Sequence, residues 1–116
     1  MNADDAPPDA EASEDAGRWA QLAHRHRQTL LVRGHASRTL ATVATYARRW
    51  AEFCAEVKLD EPGQVTTERV AAFQKWLWHQ PTARGAARTI ASQNNVLAWV
   101  KSFFAWLQVE GVLNRN

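Results

Sequence analysis

Apolar residues recur at helical spacing in four stretches of the chain, separated by short segments that carry glycine or proline. The second stretch, about Arg38 to Val57, is the most regular. At about 100° per residue its apolar side chains share one face of a helix and its polar side chains share the other. The apolar set is Leu40, Val43, Tyr46, Ala47, Trp50, Phe53, Cys54 and Val57, and the polar set is Thr45, Arg48, Arg49, Glu52 and Glu56.

The other three stretches also predict helices. The first runs from Arg18 to Val32 and ends before Gly34, a glycine placed to terminate a helix. Ser37 is placed to cap the second helix. The third helix starts after its cap Thr66 and ends at about His79, and the fourth runs from about Ala86 to Val109.

Each of these helices has a candidate core face. Four amphipathic helices without an alternating segment predict an all-α fold, a compact orthogonal four-helix bundle that occupies residues 18–116 as one domain. In the first helix, a weaker stripe of residues shares one side. The third helix has a core stripe, and the fourth has an apolar arc. These sets are Trp19, Leu22, His26, Leu30 and Arg33 in the first helix, Val70, Phe73, Trp76 and Leu77 in the third, and Ile90, Val96, Leu97, Val100, Phe103, Phe104 and Leu107 in the fourth.

Charge is distributed unevenly along the chain. Residues 1–17 contain six of the 12 acidic residues, two adjacent prolines and few apolar side chains, so we expect a disordered acidic tail. Residues 16–116 hold all 14 lysines and arginines against six acids, a net charge of +8. This balance favours a polyanionic partner such as nucleic acid. The alternative interpretation is a domain whose surface is simply rich in arginine.

Several classes of function find no support in the sequence. No apolar run is long enough to span a membrane and no secretory signal is present, so we expect a cytoplasmic protein. The five glycines are isolated, which excludes a glycine-rich phosphate loop. Cys54 lies on an apolar face and is expected to be a buried, inert thiol. His24 and His26 are two residues apart, on different helix faces, and are expected to be solvated. We therefore expect no catalytic site, metal or cofactor.

The polar faces of the second and fourth helices carry the candidate DNA-binding residues. Guanidinium groups suit phosphate oxygens, a helix N-terminus attracts anions, and asparagine or glutamine can pair with adenine in a major groove. On the second helix the candidates are Ser37, Arg38, Thr39, Thr45, Arg48 and Arg49. On the fourth they are Arg84, Arg88, Thr89, Asn94, Asn95 and Lys101, with Ser92 and Gln93 in the same turns.

A structural interpretation of these side chains stays open. Arg48 and Arg49 could solvate the outer face and pair with Glu52 or Glu56 along the helix. The asparagines could have no role, although asparagine is a poor helix former.

The six tryptophans divide into core and surface candidates. Trp50, Trp76 and Trp106 fall on core faces, Trp99 lies at the margin of its stripe, and Trp78 lies opposite Phe73 on the third helix. Trp78 or Trp99, with the first helix, could instead dock a partner protein. A helical protein–protein interaction bundle without nucleic-acid binding is therefore the second hypothesis for the function.

The order of these motifs from Leu30 to Asn116 resembles the N-terminal core-binding domain of tyrosine recombinases, the phage-integrase and Xer-like family. The resemblance rests on three segments with the expected spacing. They are Gly34, Ser37, Thr39-Leu40, Tyr46, Trp50 and Phe53; then residues 65–70, VTTERV; and finally Thr89-Ile90, Leu97, Ser102-Phe103-Phe104, Trp106-Leu107, Glu110-Gly111 and Asn114.

The resemblance implies a SAM-like helical bundle that clamps double-stranded DNA at a recombination site, mostly through phosphates and partly through the major groove. It implies DNA contacts at Ser37, Arg38, Thr39, Thr45 and Arg49, and at Arg84, Arg88, Thr89, Asn94 and Lys101. It also implies contacts between DNA-bound copies through the first helix. The catalytic residues of the family belong to a second domain that would follow Asn116, so we expect no DNA cleavage by this chain.

Overall fold

The computed structural model describes residues 17–80 and 90–113. These two ranges contain four α-helices, one short 3-10 turn at Pro62–Gln64, and no strand. The helices are α1 (Arg18–Val32), α2 (Ser37–Val57), α3 (Thr67–Trp78) and α4 (Ile90–Val109). The predicted all-α fold is confirmed. The orthogonal bundle geometry and the single domain over residues 18–116 stay predictions. The predicted disordered tail, and the predicted break in the chain at Pro81 and Gly85, lie outside the described residues.

The chain divides into two packed units, residues 1–51 and residues 52–116, and α2 continues without a break through the boundary. In the first unit α1 packs against α2. The Trp19 and Trp50 rings meet edge to face, with centroids 5.4 Å apart, an arrangement that aromatic quadrupoles favour. The other buried apolar residues of this unit are Ala20, Leu22, Ala23, Val43 and Ala47.

The core of the second unit is built from aromatic rings. Phe53, at the end of α2, contacts Phe73 and Trp76 of α3 with ring centroids 5.4 and 5.8 Å apart. On α4, Trp99 and Phe103 stack with centroids 4.8 Å apart. The buried positions of α4 recur three, four and seven residues apart, and they are Gln93, Val96, Trp99, Val100, Phe103, Trp106 and Leu107. The sequence predicted all of them except Gln93 and Trp99. Leu97 and Phe104, which were also predicted for this face, are only half-buried.

The ends of the helices follow local chemistry. Gly34 has φ +89°, the left-handed conformation predicted for it after α1. The Thr66 hydroxyl accepts a hydrogen bond from the Arg69 N–H at 3.2 Å, which confirms it as the cap of α3. The prediction that Ser37 caps α2 is wrong. Ser37 is the first helical residue, because the Ala36 carbonyl already accepts the Leu40 N–H at 3.1 Å.

Three further expectations about burial are wrong. His26 is 3% exposed and not solvated, because it continues the buried stripe of Trp19 and Leu22. Ile90 was expected in the core but is exposed in the first turn of α4. Trp99 was placed at the margin of its stripe, and the structure buries it against Phe103.

Candidate nucleic-acid interface

The positive charge of the chain is concentrated in one short segment. Residues 17–51 contain seven arginines, no lysine and no acidic residue. Residues 52–116 contain seven basic and six acidic residues, so they are nearly neutral. The net charge of +8 predicted for residues 16–116 is therefore not spread evenly along them. Almost all of it belongs to α1 and to the part of α2 that precedes Glu52.

The pKa of a buried histidine reports the electrostatic environment within this segment. The pKa of His26 is lowered from 6.5 to about 4, first by burial and then by the positive charges of Arg27, Arg33 and His35. Burial disfavours the charged imidazolium, and nearby cations disfavour it further. No carboxylate of residues 17–51 offsets these cations. Residues 17–51 therefore carry a net positive charge, the sign that attracts phosphate.

The start of α2 combines a helix N-terminus with exposed polar side chains. Ser37, Arg38 and Thr39 occupy its first turn, and all three are exposed. The first N–H groups of an α-helix have no carbonyl partner within the helix and carry the positive end of its dipole. This turn presents one guanidinium, two hydroxyls and free backbone donors to the solvent, an arrangement suited to a phosphate oxygen.

Thr45 and Arg48 form a local contact on the next turns of α2. The Thr45 hydroxyl donates to the Ala41 carbonyl at 3.3 Å and accepts from Nη2 of Arg48 at 3.5 Å, a long and weak contact. Because the hydroxyl hydrogen is already used, Thr45 is better placed to orient Arg48 than to donate to phosphate. Arg48 itself is exposed, whereas its neighbour Arg49 is half-buried.

The structure gives one of the proposed acidic partners a different role. Glu56, considered as a partner of Arg48 or Arg49, accepts a hydrogen bond from the Trp76 indole at 2.6 Å. Arg38, Arg48 and Lys101 make no ion pair with any acid in the described part of the chain. Their charges are available to a ligand from solvent.

On α4 the candidate residues lie on an open outer face. Asn94, Asn95 and Lys101 are exposed, and Asn94 and Lys101, seven residues apart, share one side of the helix. Ala98 lies between them, so no large side chain blocks an approach to the helix backbone. Asparagine amides and one lysine on a smooth helix face suit a groove of duplex DNA.

Gln93 does not belong to this face. It is 4% exposed, because its position is in phase with Val96 and Val100 on the buried stripe of α4. The interpretation of Gln93 as a DNA-facing side chain is therefore wrong. Three other candidates, Arg84, Arg88 and Thr89, lie outside the described residues, and their role stays a prediction.

Sequence reasoning missed two exposed arginines, one in α1 and one directly after it. Arg25 and Arg33 belong to the same acid-free segment as Arg38 and Arg48. Counting acids and bases in windows of the chain, instead of over the whole folded region, would have identified them.

Other chemistry in the described residues is limited. Burial raises the pKa of the Cys54 thiol to about 12, with a smaller contribution from Asp60, so the group stays protonated and weakly nucleophilic. No group of three or more histidine, cysteine or acidic residues in the described ranges could hold a metal ion. Within the same ranges, no helix has the length and apolar character needed to cross a membrane.

The described residues are all-α, and residues 17–51 among them are rich in arginine and contain no acidic residue. No protein-family model matches the chain, and no solved structure matches it significantly. Over 91 residues the chain is 32% identical to tyrosine recombinase XerC 2 from Ralstonia nicotianae. The match covers 78% of this chain and 26% of that protein, so it spans about a quarter of the length of this relative. The chain carries a tyrosine recombinase-related domain.

Proposed function

We propose that this domain binds double-stranded DNA as the SAM-like core-binding domain of a site-specific tyrosine recombinase, acting in the cytoplasm in DNA integration and recombination. It clamps the duplex through phosphate contacts and some major-groove contacts. Cleavage and rejoining require catalytic residues from another domain, and this domain contributes binding only.

The segregation of charge is the main support for the proposal. Residues 17–51 contain seven arginines and no acidic residue, a net charge of +7. Release of counterions from DNA phosphates favours binding by such a segment. The residues proposed to contact phosphates are the exposed Arg38 and Arg48 of α2, Arg25 of α1, and Arg33, which follows α1.

The outer face of α4 supports a contribution to groove contacts. Asn94 and Asn95 carry the amides that can pair bidentately with adenine, and Lys101 supplies one phosphate contact. Arg84, Arg88 and Thr89 are proposed to extend this face on the strength of the resemblance alone.

We also propose that DNA-bound copies of the chain contact one another through α1. Leu31 and Val32, at the end of α1, are 52% and 87% exposed. Exposed adjacent apolar side chains are the kind that a neighbouring protein surface covers.

The test is a titration of fluorescent duplex DNA with the full chain over a series of salt concentrations. The double variant Arg38→Gln, Arg48→Gln should reduce the slope of log affinity against log salt by about 2, because each phosphate contact contributes about 0.9. Arg69→Gln is the matched control, since Arg69 is an exposed arginine of α3 outside the acid-free segment. Absence of salt-dependent duplex binding by the unmodified chain would overturn the proposal.

A further inference from the structure

A shallow groove in the second unit carries chemistry that the proposed DNA contacts do not use. Ala71, Gln74, Lys75 and Trp78 of α3 line it together with Gln93 of α4, and its volume is about 290 Å³. The four α3 residues follow the spacing i, i+3, i+4 and i+7, so they form one stripe of the helix. Trp78 is 51% exposed, an unusual environment for the largest apolar side chain.

One polar group in this groove has no partner. The Nε2 amide group of Gln93 is buried and makes no hydrogen bond within the described part of the chain. Native structures satisfy the great majority of buried polar groups, so an orphaned amide donor lining a groove points to a ligand that brings an acceptor.

The groove offers hydrogen-bond donors and one large apolar ring. The Lys75 ammonium has three N–H donors and no acceptor, the Trp78 indole has one donor, and the Gln93 amide adds its unpaired N–H groups. The indole face of Trp78 offers a flat apolar surface. A ligand that fits this set carries negative charge, carbonyl oxygens and a compact apolar group.

The chain itself contains a segment of that composition. Residues 4–11, Asp-Asp-Ala-Pro-Pro-Asp-Ala-Glu, combine four carboxylates with two adjacent prolines. Proline-rich segments favour an extended backbone with unpaired carbonyls, and aromatic-lined grooves recognise them. The carboxylates complement Lys75, and a proline ring matches the Trp78 face.

We propose that this groove of one copy binds residues 4–11 of a second copy. Proline packs on Trp78, a carboxylate pairs with Lys75, and a backbone carbonyl accepts from the Gln93 amide. Binding between two copies depends on protein concentration, which distinguishes it from binding within one chain.

A peptide is a better match to this groove than nucleic acid. The groove presents one lysine, whereas backbone contacts to nucleic acid require several cations. This inference does not depend on the proposed DNA binding, because none of the proposed DNA-binding residues lines the groove.

The first experiment measures binding of a labelled synthetic peptide of residues 3–12 to the full chain. The protein used is the Pro7→Ala, Pro8→Ala variant, so that its own residues 4–11 do not compete with the peptide for the groove. We expect saturable binding, weakened about tenfold by adding Trp78→Ala, since buried tryptophans dominate small interfaces. Ala71→Arg, which fills the groove from an exposed helical position, should weaken it as much. Val109→Ala alters another exposed apolar residue and should leave it unchanged.

Two outcomes of this titration overturn the assignment of the groove. One is equal peptide affinity with and without Trp78 in variants whose circular dichroism and melting temperature match the parent. The other is competition by a single-stranded oligonucleotide that is lost with Trp78→Ala, which would make the groove a nucleic-acid site.

The second experiment tests the second copy directly by sedimentation equilibrium of the full chain without DNA. The unmodified chain should self-associate with increasing concentration, and both Trp78→Ala and the Pro7→Ala, Pro8→Ala double variant should abolish that association. A monomer mass at all concentrations, with the peptide still bound in the first experiment, overturns the assignment to a second copy.

Discussion

The indole N–H of Trp76 donates a hydrogen bond to the carboxylate of Glu56 at 2.6 Å, and this bond joins the last turns of α2 to α3. It uses the polar edge of a ring whose face packs on Phe53 and Phe73. Aromatic residues of this type bury a large apolar area while one polar atom keeps a partner.

Trp76→Phe should reduce stability by more than the roughly 1 kcal/mol expected for the hydrogen bond alone, because it removes the donor together with part of the packed ring. Glu56→Gln keeps an acceptor and should cost less than Glu56→Ala. Urea unfolding followed by circular dichroism measures all three variants. An equal cost for Glu56→Gln and Glu56→Ala would show that the carboxamide oxygen does not replace the carboxylate.

Acidification should destabilise the fold through His26. Its pKa is about 4 in the folded chain and 6.5 in the unfolded chain, so the unfolded chain binds more protons between these values. The contribution of neutral His26 to the free energy of unfolding is therefore complete above pH 6.5 and is lost progressively as the pH falls towards 4.

The measurement is urea unfolding at a series of pH values from about 7.5 to about 4, a range that includes both pKa values. His26→Gln should lose most of the pH dependence in this window. His79→Gln is the matched control, because His79 is exposed and is not among the groups that lower the pKa of His26. An unchanged pH profile in His26→Gln would assign the acid sensitivity to another group.

Cys54 should resist thiol reagents in the folded state. Burial raises its pKa to about 12, and the thiolate is the reactive form. Labelling with a chromogenic disulfide should be slow in buffer and fast in denaturant, with a native rate that follows global unfolding. Fast labelling without denaturant would show local opening around α2. Cys54→Ala should leave duplex affinity unchanged, since the thiol faces the core.

Lys58 should be replaceable by glycine with a gain in stability. It has φ +60° just after α2, a left-handed conformation that costs a residue with a side chain about 1 kcal/mol. Lys58→Gly should raise the free energy of unfolding by up to about that amount, partly offset by the greater entropy of unfolded glycine. Gly111→Ala, at φ +79°, is the reverse test and should destabilise the chain.

Charge reversal on α4 should weaken DNA binding without changing the fold. Lys101→Glu replaces an exposed cation and should lower affinity at low salt and flatten the salt dependence by about 1 in slope. Asn94→Ala should instead change the preference among duplex sequences at similar salt dependence. Measured by duplex titration, unchanged affinity in Lys101→Glu would remove α4 from the interface.

The sequence predicted helix positions well because apolar periodicity and capping chemistry are local. α1 begins and ends at the predicted residues, Thr66 caps α3 as expected, and α4 ends at Val109. Ser37 was misassigned by one position because the cap is defined by the first accepting carbonyl, which belongs to Ala36.

Burial of polar residues was predicted less well. His26 and Gln93 both lie on the buried faces of their helices. Because both side chains are polar, His26 was expected in solvent and Gln93 against DNA. Position decides burial when neighbouring apolar residues hold the helix face against the core. Ile90 shows the converse, since an apolar residue in the first turn has less of the helix packed around it.

The candidate interface was predicted in part. Exposure of Asn94, Asn95 and Lys101 on one side of α4 agrees with the sequence pattern. The role of Thr45 as a partner of Arg48 depends on a side-chain hydrogen bond that periodicity does not specify.

The absence of lysine and carboxylate from residues 17–51 has a consequence for regulation. Acetyl transfer needs a lysine amine, and guanidinium groups keep their proton at any physiological pH. Lys58 is the first lysine of the chain. Lysine acetylation, which would neutralise a surface built from lysines, therefore leaves the positive charge of residues 17–51 unchanged.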